Sequence, residues 1–281
     1  MKICRTIADC RSAVASYRRA DESVGLVPTM GYLHDGHMAL VARAREAADR
    51  VVATIFVNPT QFGEAADLDA YPRDEDRDFA LLEAAGVDCV LVPPVCEVYP
   101  EGDETIVETT RMANMLHGLV RPGHFRGVTT VVARLFNFVQ PDIACFGEKD
   151  YQQLQIVRRM TRDLGFPIEI IGVPTVREAD GLAMSSRNVR LGAEDRQAAL
   201  VLSRALAAAD EAAARGTSIE ALQALIADTI NGEPRATLRG LDIAGAEDLS
   251  QITGPLTSPA AIMLSAEFGG VLLLDQRVVS P

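Results

Sequence analysis

Short, almost entirely apolar runs alternate with segments of helical spacing along the N-terminal part of the chain, and this alternation restricts what the chain can fold into. The runs are VGLVP, VVATIFVNP, DCVLVPP, IACFG and IEIIGVP, which begin at residues 24, 51, 88, 143 and 168. Strands without a polar face are typical of parallel sheets that helices cover on both sides. The pattern therefore predicts an α/β fold with a Rossmann-like, doubly wound parallel sheet of five or six strands.

The segments between these runs carry apolar residues at the spacing of a helix. Leu40, Val41, Ala44 and Ala48 recur in this way after the first run and predict a helix there. Further helices are predicted at residues 74–86, 128–140 and 150–165. In doubly wound sheets ligands bind beyond the carboxyl ends of the strands. We therefore expect four loops to converge on one site, those that follow Pro28, Asn58, Gly147 and Val173.

The pattern changes in the last third of the chain. Helices are predicted at residues 193–215 and 218–231, and two strand-like runs, AAIMLSAEF and VLLLDQRVV, meet at a Gly-Gly pair. This arrangement predicts a second, smaller α+β domain at the C-terminus. We set the domains at residues 1–176 and 177–281 and expect the second to act as a lid over the site of the first.

Charge and motif content disfavour several classes of function. The chain has 39 acidic and 27 basic residues, a net charge of −12, which should repel a phosphate backbone, so we expect no nucleic acid partner. No run approaches the roughly 18 apolar residues that span a bilayer, and the start lacks the apolar core of a signal peptide, so we expect no membrane partner and a cytoplasmic location. Neither GxGxxG nor GxxxxGK[ST] occurs, which disfavours dinucleotide oxidoreductases and P-loop enzymes.

The cysteines predict no metal or redox site. Zinc and redox sites favour paired C-x-x-C spacing, which this sequence lacks. We expect buried, reduced thiols, the usual state of free cysteine. The five are Cys4, Cys10, Cys89, Cys96 and Cys145.

The loop after the first apolar run, PTMGYLHDGH, contains two of the four histidines of the chain. His34 and His37 flank Gly36 where a helix opens, so both rings and the first free backbone N–H groups can face one phosphate. The positive helix end disfavours protonation and leaves neutral rings that donate hydrogen bonds. Two alternatives stay open: His37 lies on the apolar face of the helix as a core residue, or the pair binds zinc with a third ligand that the sequence does not reveal.

Two further loops carry polar side chains suited to a charged ligand. Asn58 and Gln61 offer neutral amides to a hydroxyl or a carboxylate, although Asn-Pro is also a common turn starter. Lys149 stands at a predicted helix start, where the helix dipole disfavours a cation unless an anion is bound or solvent surrounds the charge. Gln153 follows four residues later and should share the face of Lys149.

A fourth loop, ADGLAMSSRN, follows the last strand of the predicted sheet. Ser185, Ser186 and Arg187 provide two hydroxyls and a guanidinium, a combination that suits a triphosphate, and the loop could close on it after binding. An alternative also stays open, in which the same residues only cap the helix predicted at residues 193–215.

Together these loops resemble the pantoate–beta-alanine ligase (pantothenate synthetase) family of the HIGH-motif adenylyltransferase superfamily. PTMGYLHDGH looks like the family's version of the HIGH signature, and FVNPTQF, RPGHFRGV, FGEKDYQQL and AMSSRN occur in the family's order and spacing. The resemblance covers nearly the whole first domain and is less specific in the second. It implies a homodimer that uses ATP and Mg²⁺ to condense pantoate with beta-alanine through a pantoyl-adenylate.

The resemblance also implies roles for individual residues. His37 would be the proton donor, with His34 and Lys149 beside it, and Gln61 and Gln153 would bind pantoate, Gln61 also reaching beta-alanine. Arg121 and Asn58 would be supporting contacts, and the Val176 backbone would meet the adenine. The implied ATP site consists of Met30, Gly31, Tyr32, Leu33, His34, Asp35, Gly36, His37, Gly147, Glu148, Lys149, Asp150, Val176, Met184, Ser185, Ser186 and Arg187.

Two other functions share this pattern of loops. A nucleotidyltransferase would keep AMP on its product, and an ATP-binding sensor would catalyse no reaction. A tRNA synthetase is disfavoured because the chain has a net negative charge and is too short to include an anticodon domain as well.

Overall fold

The apolar runs form parallel strands in the computed structural model, which describes residues 1–63, 68–69 and 71–281. The chain divides into two compact units. The first comprises Met1–Gly147 and Ile156–Val173, and the second comprises Glu148–Gln155 and Pro174–Pro281. Among the described helices, none has the length and apolar character needed to cross a membrane.

The first unit is built on a six-stranded parallel sheet. Its strands are β1 Lys2–Cys4, β2 Val24–Thr29, β3 Arg50–Ile55, β4 Cys89–Leu91, β5 Ile143–Gly147 and β6 Glu169–Val173. They lie in the order β1-β4-β3-β2-β5-β6, and every pairing is parallel. From β2 onward the chain winds outward in both directions from the β2–β5 pair, which is the switch point where such sheets bind ligands, and β1 pairs at the edge with β4. The predicted doubly wound α/β fold is confirmed.

Helices cover both faces of this sheet. They are α1 Ile7–Arg19, α2 Asp35–Ala47, α3 Glu75–Ala84, α4 Val95–Val98, α5 His117–Val120, α6 His124–Val139 and α7 Tyr151–Asp163, of which α7 begins within the second unit. Leu40, Val41 and Ala44 of α2 are buried in one core cluster with strand residues such as Val27, as their spacing predicts. Helix α6 begins four residues earlier than predicted because Gly123, at φ 80°, turns the chain into it.

The second unit combines three helices with an antiparallel sheet. These are α8 Ala193–Ala198, α9 Val201–Ala214, α10 Ile219–Asn231, β7 Thr237–Gly245, β8 Ala260–Phe268 and β9 Val271–Val279. The sheet order is β7-β8-β9, and Gly269 and Gly270 make the β8–β9 turn with positive φ, so the predicted α+β character is confirmed. The single helix predicted at residues 193–215 is wrong, because α8 ends at a C-cap on Ala199 and α9 starts anew.

The five cysteines are free thiols, as predicted, but one is not buried. Cys4, Cys10, Cys89 and Cys145 are buried, and Cys96 is exposed on the short helix α4. The expectation of burial is therefore wrong for Cys96: a helix of four residues buries only one of its sides, and there Val98 is the buried residue.

Candidate functional site

The loop between β2 and α2, here called the histidine turn (residues 30–37), has an unusual backbone. Gly31 and Tyr32 both have positive φ, 82° and 51°. Tyr32 is therefore held in a left-handed conformation that costs a non-glycine residue on the order of 1 kcal/mol. Such strain persists only where surrounding contacts fix the backbone, so the turn is held in place from outside.

The two histidines of this turn cap the helix and each other. His34 is the N-cap of α2, and its Nδ1 accepts a hydrogen bond from Gly36 N–H at 3.1 Å. His37 Nδ1 accepts in turn from His34 N–H at 3.3 Å, and the ring centroids are 4.1 Å apart. A ring nitrogen that accepts a hydrogen bond carries no proton, so both rings are neutral with the proton on Nε2. Both Nε2–H groups are then donors, and His37 is not simply a core residue.

Several backbone N–H groups of the turn are bound within the protein, whereas the prediction has the first N–H groups of the helix facing a phosphate. Tyr32 N–H and Leu33 N–H each donate to the Asp78 carboxylate at 2.7 Å, and His37 N–H donates to the His34 carbonyl. The side chains, rather than these amides, are therefore the donors that the turn offers a ligand. Asp78 lies on the buried side of α3 with Leu82.

The loop after β3, here called the amide loop (residues 58–61), is held by a buried asparagine. Asn58 is 1% exposed, and its Nδ2 donates to Gln61 Oε1 at 3.2 Å and to the Gly127 carbonyl at 3.1 Å. Its Oδ1 accepts from Thr60 N–H and from the Tyr99 hydroxyl. Asn58 is thus a support for Gln61, and it also starts a turn, as Asn-Pro predicts.

Gln61 joins the amide loop to both neighbouring elements. Its Nε2 lies 2.8 Å from Met30 Sδ in the histidine turn. The backbone carbonyl of Gln61 accepts a hydrogen bond from His124 Nδ1 at 2.8 Å. Arg121 Nη1 lies 3.4 Å from Nε2 of the same histidine. The structure therefore brings Met30, Gln61 and the pair Arg121 and His124 of the RPGH segment into one chain of contacts within the first unit.

Gly127 is where helix α6 touches the amide loop. A Cβ atom there would lie 2.5 Å from the Thr60 carbonyl oxygen and 2.8 Å from Gln61 N. Only glycine permits this approach. The glycine of RPGHFRGV is therefore a packing requirement of the amide loop, which sequence pattern alone did not reveal.

The predicted cation, Lys149, lies in a short 3-10 turn, Glu148–Asp150, that precedes α7. Within the second unit this turn packs against β9, and Tyr151 is anchored by its hydroxyl, which donates to the Ala246 carbonyl at 2.9 Å. Lys149 is half-buried and has no hydrogen-bond or ion-pair partner in the described part of the chain. Gln153 is half-buried as well.

The serine loop (residues 184–187) is fixed at both ends within the second unit. Met184 N–H donates to the Val176 carbonyl at 2.9 Å, and Arg187 N–H donates to Ser185 Oγ at 3.2 Å. The helix-cap alternative is excluded, because Gly192 is the N-cap of α8. Ser186 shares this turn.

An ion pair beside the serine loop ties it to β9. Arg177 donates through Nη1 and Nη2 to the two carboxylate oxygens of Asp275, at 2.8 and 2.9 Å, and through Nη1 to the Gly181 carbonyl. Asp275 is 2% exposed. Strand β9 therefore supports the segment that leads to the serine loop and also the Lys149 turn.

The structure thus gathers the predicted residues into two groups. The first unit brings together the histidine turn and the amide loop, and the second brings the Lys149 turn and the serine loop to β9. No group of three His, Cys, Asp or Glu side chains suited to a metal ion occurs in residues 1–63, 68–69 and 71–281, so the zinc alternative finds no third ligand there. Sequence reasoning missed Asp78, Tyr99, Gly127 and Asp275, whose partners are distant in the chain.

Solved structures of known proteins share the fold of this chain. The pantothenate synthetase of Thermus thermophilus superimposes with a TM-score of 0.93 at 49% identity, each chain being fully covered. A Francisella tularensis pantoate-beta-alanine ligase, solved with beta-gamma ATP and beta-alanine, gives a TM-score of 0.81 at 32% identity, with 99% of this chain and 97% of that chain covered.

Sequence relatives extend over the same length. The pantothenate synthetase of Sinorhizobium medicae is 51% identical over 282 residues, covering 100% of this chain and 97% of the relative. That of Bartonella tribocorum is 49% identical over 280 residues, covering 99% and 98%. Because the family model for pantoate-beta-alanine ligase also matches residues 2–278, the chain belongs to the pantoate–beta-alanine ligase family.

Proposed function

We propose that this protein condenses pantoate with beta-alanine at the expense of ATP, giving pantothenate, AMP and diphosphate through a bound pantoyl-adenylate. The observation that carries the proposal is the reciprocal cap of His34 and His37, which leaves two neutral Nε2–H donors at the switch point of a parallel sheet. Family membership, and the ATP analogue and beta-alanine named for the Francisella relative, support the same reaction.

In the first step a carboxylate oxygen of pantoate attacks the α-phosphorus of ATP. The new O–P bond forms as the bond from the α-phosphorus to the bridging oxygen breaks, and diphosphate leaves. Pantoate is ionised at neutral pH, so the step needs no base, only alignment and stabilisation of the charge that moves onto diphosphate. His34, His37 and Lys149 are the proposed donors to that charge, with His37 as the proton donor.

In the second step the neutral amine of beta-alanine attacks the acyl carbon of the adenylate. A C–N bond forms, the C–O bond to the phosphate breaks, the amine nitrogen loses a proton to solvent, and AMP leaves. Gln61 and Gln153 are proposed to bind pantoate, and Gln61 also beta-alanine. The contacts of Gln61 with Asn58 and His124 fix its position, as a group that aligns two substrates requires.

The ATP site is proposed to use both groups of residues. Residues 30–37 would meet the phosphates from the first unit, and residues 147–150 and 184–187 would add Lys149, two serines and Arg187, with the Val176 backbone at the adenine. The serine loop belongs to residues 177–281, which are proposed to act as a lid over ATP.

Mg²⁺ is proposed to enter with ATP, held mainly by the phosphates. Mg²⁺ commonly binds substrate phosphates with only one or two protein carboxylates. Asp35 and Asp150 are exposed carboxylates within the proposed ATP site and fit that limited role. Bound there, the ion would neutralise charge on the phosphates.

We further propose a cytoplasmic homodimer. The five free thiols suit a reducing compartment. Leu119 and Val120, which are 69% and 71% exposed in the first unit, provide apolar surface for a second copy. Sedimentation of the purified protein would reveal the assembly, and a monomer would contradict it.

One assay tests the reaction. The purified protein is given ATP, Mg²⁺ and pantoate, with or without beta-alanine, and AMP, diphosphate and amide are followed together. We expect amide, AMP and diphosphate in equal amounts, with AMP formed only when beta-alanine is present. Retention of AMP on the product would indicate a nucleotidyltransferase instead, and absence of diphosphate release would indicate a binding protein.

A further inference from the structure

We propose that Asp78 is a positioning residue for the adenylation step, because its carboxylate fixes the backbone from which the two catalytic imidazoles project. This inference rests on the proposed function. Asp78 belongs to none of the loops that carry the proposed site. It lies on helix α3, and it acts through the histidine turn rather than on a substrate.

The Asp78 carboxylate holds two successive backbone amides, and this pair of hydrogen bonds is here called the clamp. Its Oδ2 accepts from Tyr32 N–H and its Oδ1 from Leu33 N–H, both at 2.7 Å, so each carboxylate oxygen binds one of two successive amides. Charge-assisted bonds of this length are about twice as strong as neutral ones. Asp78 is 1% exposed, so these bonds form away from solvent.

Packing alone does not explain a carboxylate at this position. Burial raises the pKa of Asp78 above its usual value, and the hydrogen bonds from Leu33 N–H and Tyr32 N–H offset part of that rise. The nearest cation, Arg77, lies 3.9 Å away and is too distant for a hydrogen bond. An apolar side chain on this face, beside Leu82, would be less costly to bury.

The turn that Asp78 holds needs an external restraint. Gly31 and Tyr32 both have positive φ, and a Cβ atom at Gly31 would lie 3.0 Å from Asp78 Oδ2. Glycine therefore makes room for the carboxylate, and the carboxylate holds the strained residue that follows it. The backbone of the histidine turn and the Asp78 carboxylate therefore hold each other in place.

The residues that the clamp holds come immediately before His34 in the chain. Leu33, whose amide Asp78 binds, precedes His34, the N-cap whose own amide is bound by His37 Nδ1. A shift of Leu33 would move the His34 amide and break the reciprocal cap that sets both rings. A displacement of about 1 Å in a catalytic group can cost about 10²-fold in rate.

The test compares Asp78→Asn with Asp74→Ala. Asn keeps the shape of the Asp78 side chain but carries no charge. Its NH2 group replaces one carboxylate oxygen and so faces a backbone N–H that needs an acceptor. Asp74 is the exposed N-cap of the same helix, bound to Arg77 N–H at 3.2 Å, so its removal weakens α3 without touching the histidine turn. Asp78→Ser serves as a second variant should Asp78→Asn not fold.

Two readouts separate positioning from stability. Pantoate-dependent exchange of labelled diphosphate into ATP measures adenylation, and we expect Asp78→Asn to lose at least tenfold in kcat with a much smaller change in KM for pantoate. Nitrogen NMR of the histidine rings should show the Nε2–H form of His34 and His37 in the wild type and mixed tautomers in the variant. Asp74→Ala should keep both the rate and the tautomers.

The outcomes are distinct. Wild-type kcat in Asp78→Asn, or an equal loss in Asp74→Ala at equal stability, would overturn the positioning role. If the wild-type protein shows no pantoate-dependent exchange, the proposed function fails, and the tautomer spectra still decide whether Asp78 sets the rings. Unchanged tautomers in both Asp78 variants would refute the clamp itself.

Discussion

His37 Nδ1 accepts a hydrogen bond from the backbone N–H of His34, three residues earlier, so one histidine of the signature sets the ring of the other. The N3 position of a helix is usually filled by Glu or Gln when the capping box is present. Here an imidazole takes that place through Nδ1, and its Nε2–H is the proposed donor to the substrate phosphates. Structural and chemical roles are thus divided between the two nitrogens of one ring.

The division of roles predicts different effects for two substitutions of His37. Asn places an oxygen near Nδ1 and should preserve the cap, whereas Gln places an amide N–H near Nε2 and should preserve the donor. We expect His37→Asn, like His37→Ala, to lose about 10²-fold or more in kcat, and His37→Gln to lose less. Steady-state rates and urea unfolding of each variant give the measurement.

The stability of the three variants supplies the control. His37→Asn should unfold at the urea concentration of the wild type, and His37→Ala at a lower one. Equal rates in His37→Asn and His37→Gln would show that the Nε2 donor has no role.

Much of the fold follows from sequence, because strands β2 to β5 are almost wholly buried and therefore read as apolar runs. Strand β1, Lys2–Cys4, is too short to show a period. Strand β7 alternates only weakly, since most of its residues are exposed or half-buried. Length and two-sided burial decide which strands a pattern can reveal.

The residues of the candidate site also differ in whether the sequence can predict them. His34, His37 and Lys149 stand at helix starts, where local physics makes their residue types unusual. Asp78 and Asn58 are different: their partners lie 46 and 69 residues away, at Tyr32 and Gly127. A side chain whose role is to bind a distant backbone leaves no local period or motif in the sequence, so it becomes visible only in the folded structure.

Lys149 is one of only two lysines in the chain, the other being exposed Lys2, and this permits a direct test. We expect Lys149→Ala to lose about 10²-fold or more in rate, because it removes the proposed donor to the leaving diphosphate. Stability should not fall, since a cation at a helix start opposes the dipole. Enzyme assays measure the loss of rate, and thermal unfolding tests whether stability is maintained.

Lys2→Ala is the matched control and should leave the rate unchanged. After reductive methylation with labelled formaldehyde, the protein should give two lysine signals, and ATP should shift that of Lys149 alone. A shift at Lys2 only, or turnover close to normal in Lys149→Ala, would contradict the role given to this ammonium.

Gly127→Ala should disturb the amide loop. The new Cβ would lie 2.5 Å from the Thr60 carbonyl, so helix and loop must separate, at a cost of about 1–3 kcal/mol. Gln61 then loses its position, and we expect KM for pantoate to rise more than KM for ATP. Gly63→Ala, where a Cβ meets no atom of the described residues within 4 Å, should change neither constant. Equal behaviour of the two variants would argue against close packing at Gly127.

The pair Arg177 and Asp275 should behave as a buried ion pair. Removing one partner leaves an uncompensated charge, so Asp275→Leu should lower the free energy of unfolding by about 3 kcal/mol. The double variant Arg177→Met/Asp275→Leu should recover part of that loss, because no charge is left behind. Urea unfolding of both variants measures the difference. A double variant less stable than Asp275→Leu would show that the charge interaction is not what ties the loop to β9.

The thiols should differ sharply in reactivity. Burial raises the pKa of Cys4 to about 12 and that of Cys145 to about 11, and Cys10 and Cys89 are fully buried as well. Because the thiolate is the reactive form, we expect only exposed Cys96 to react with a disulfide reagent at pH 8 in the native protein. Cys96→Ser should abolish the fast phase, and unfolding in guanidinium should expose all five thiols of the wild type. More than one fast thiol in the native wild type would mean that the sheet bearing Cys4 and Cys89 opens in solution.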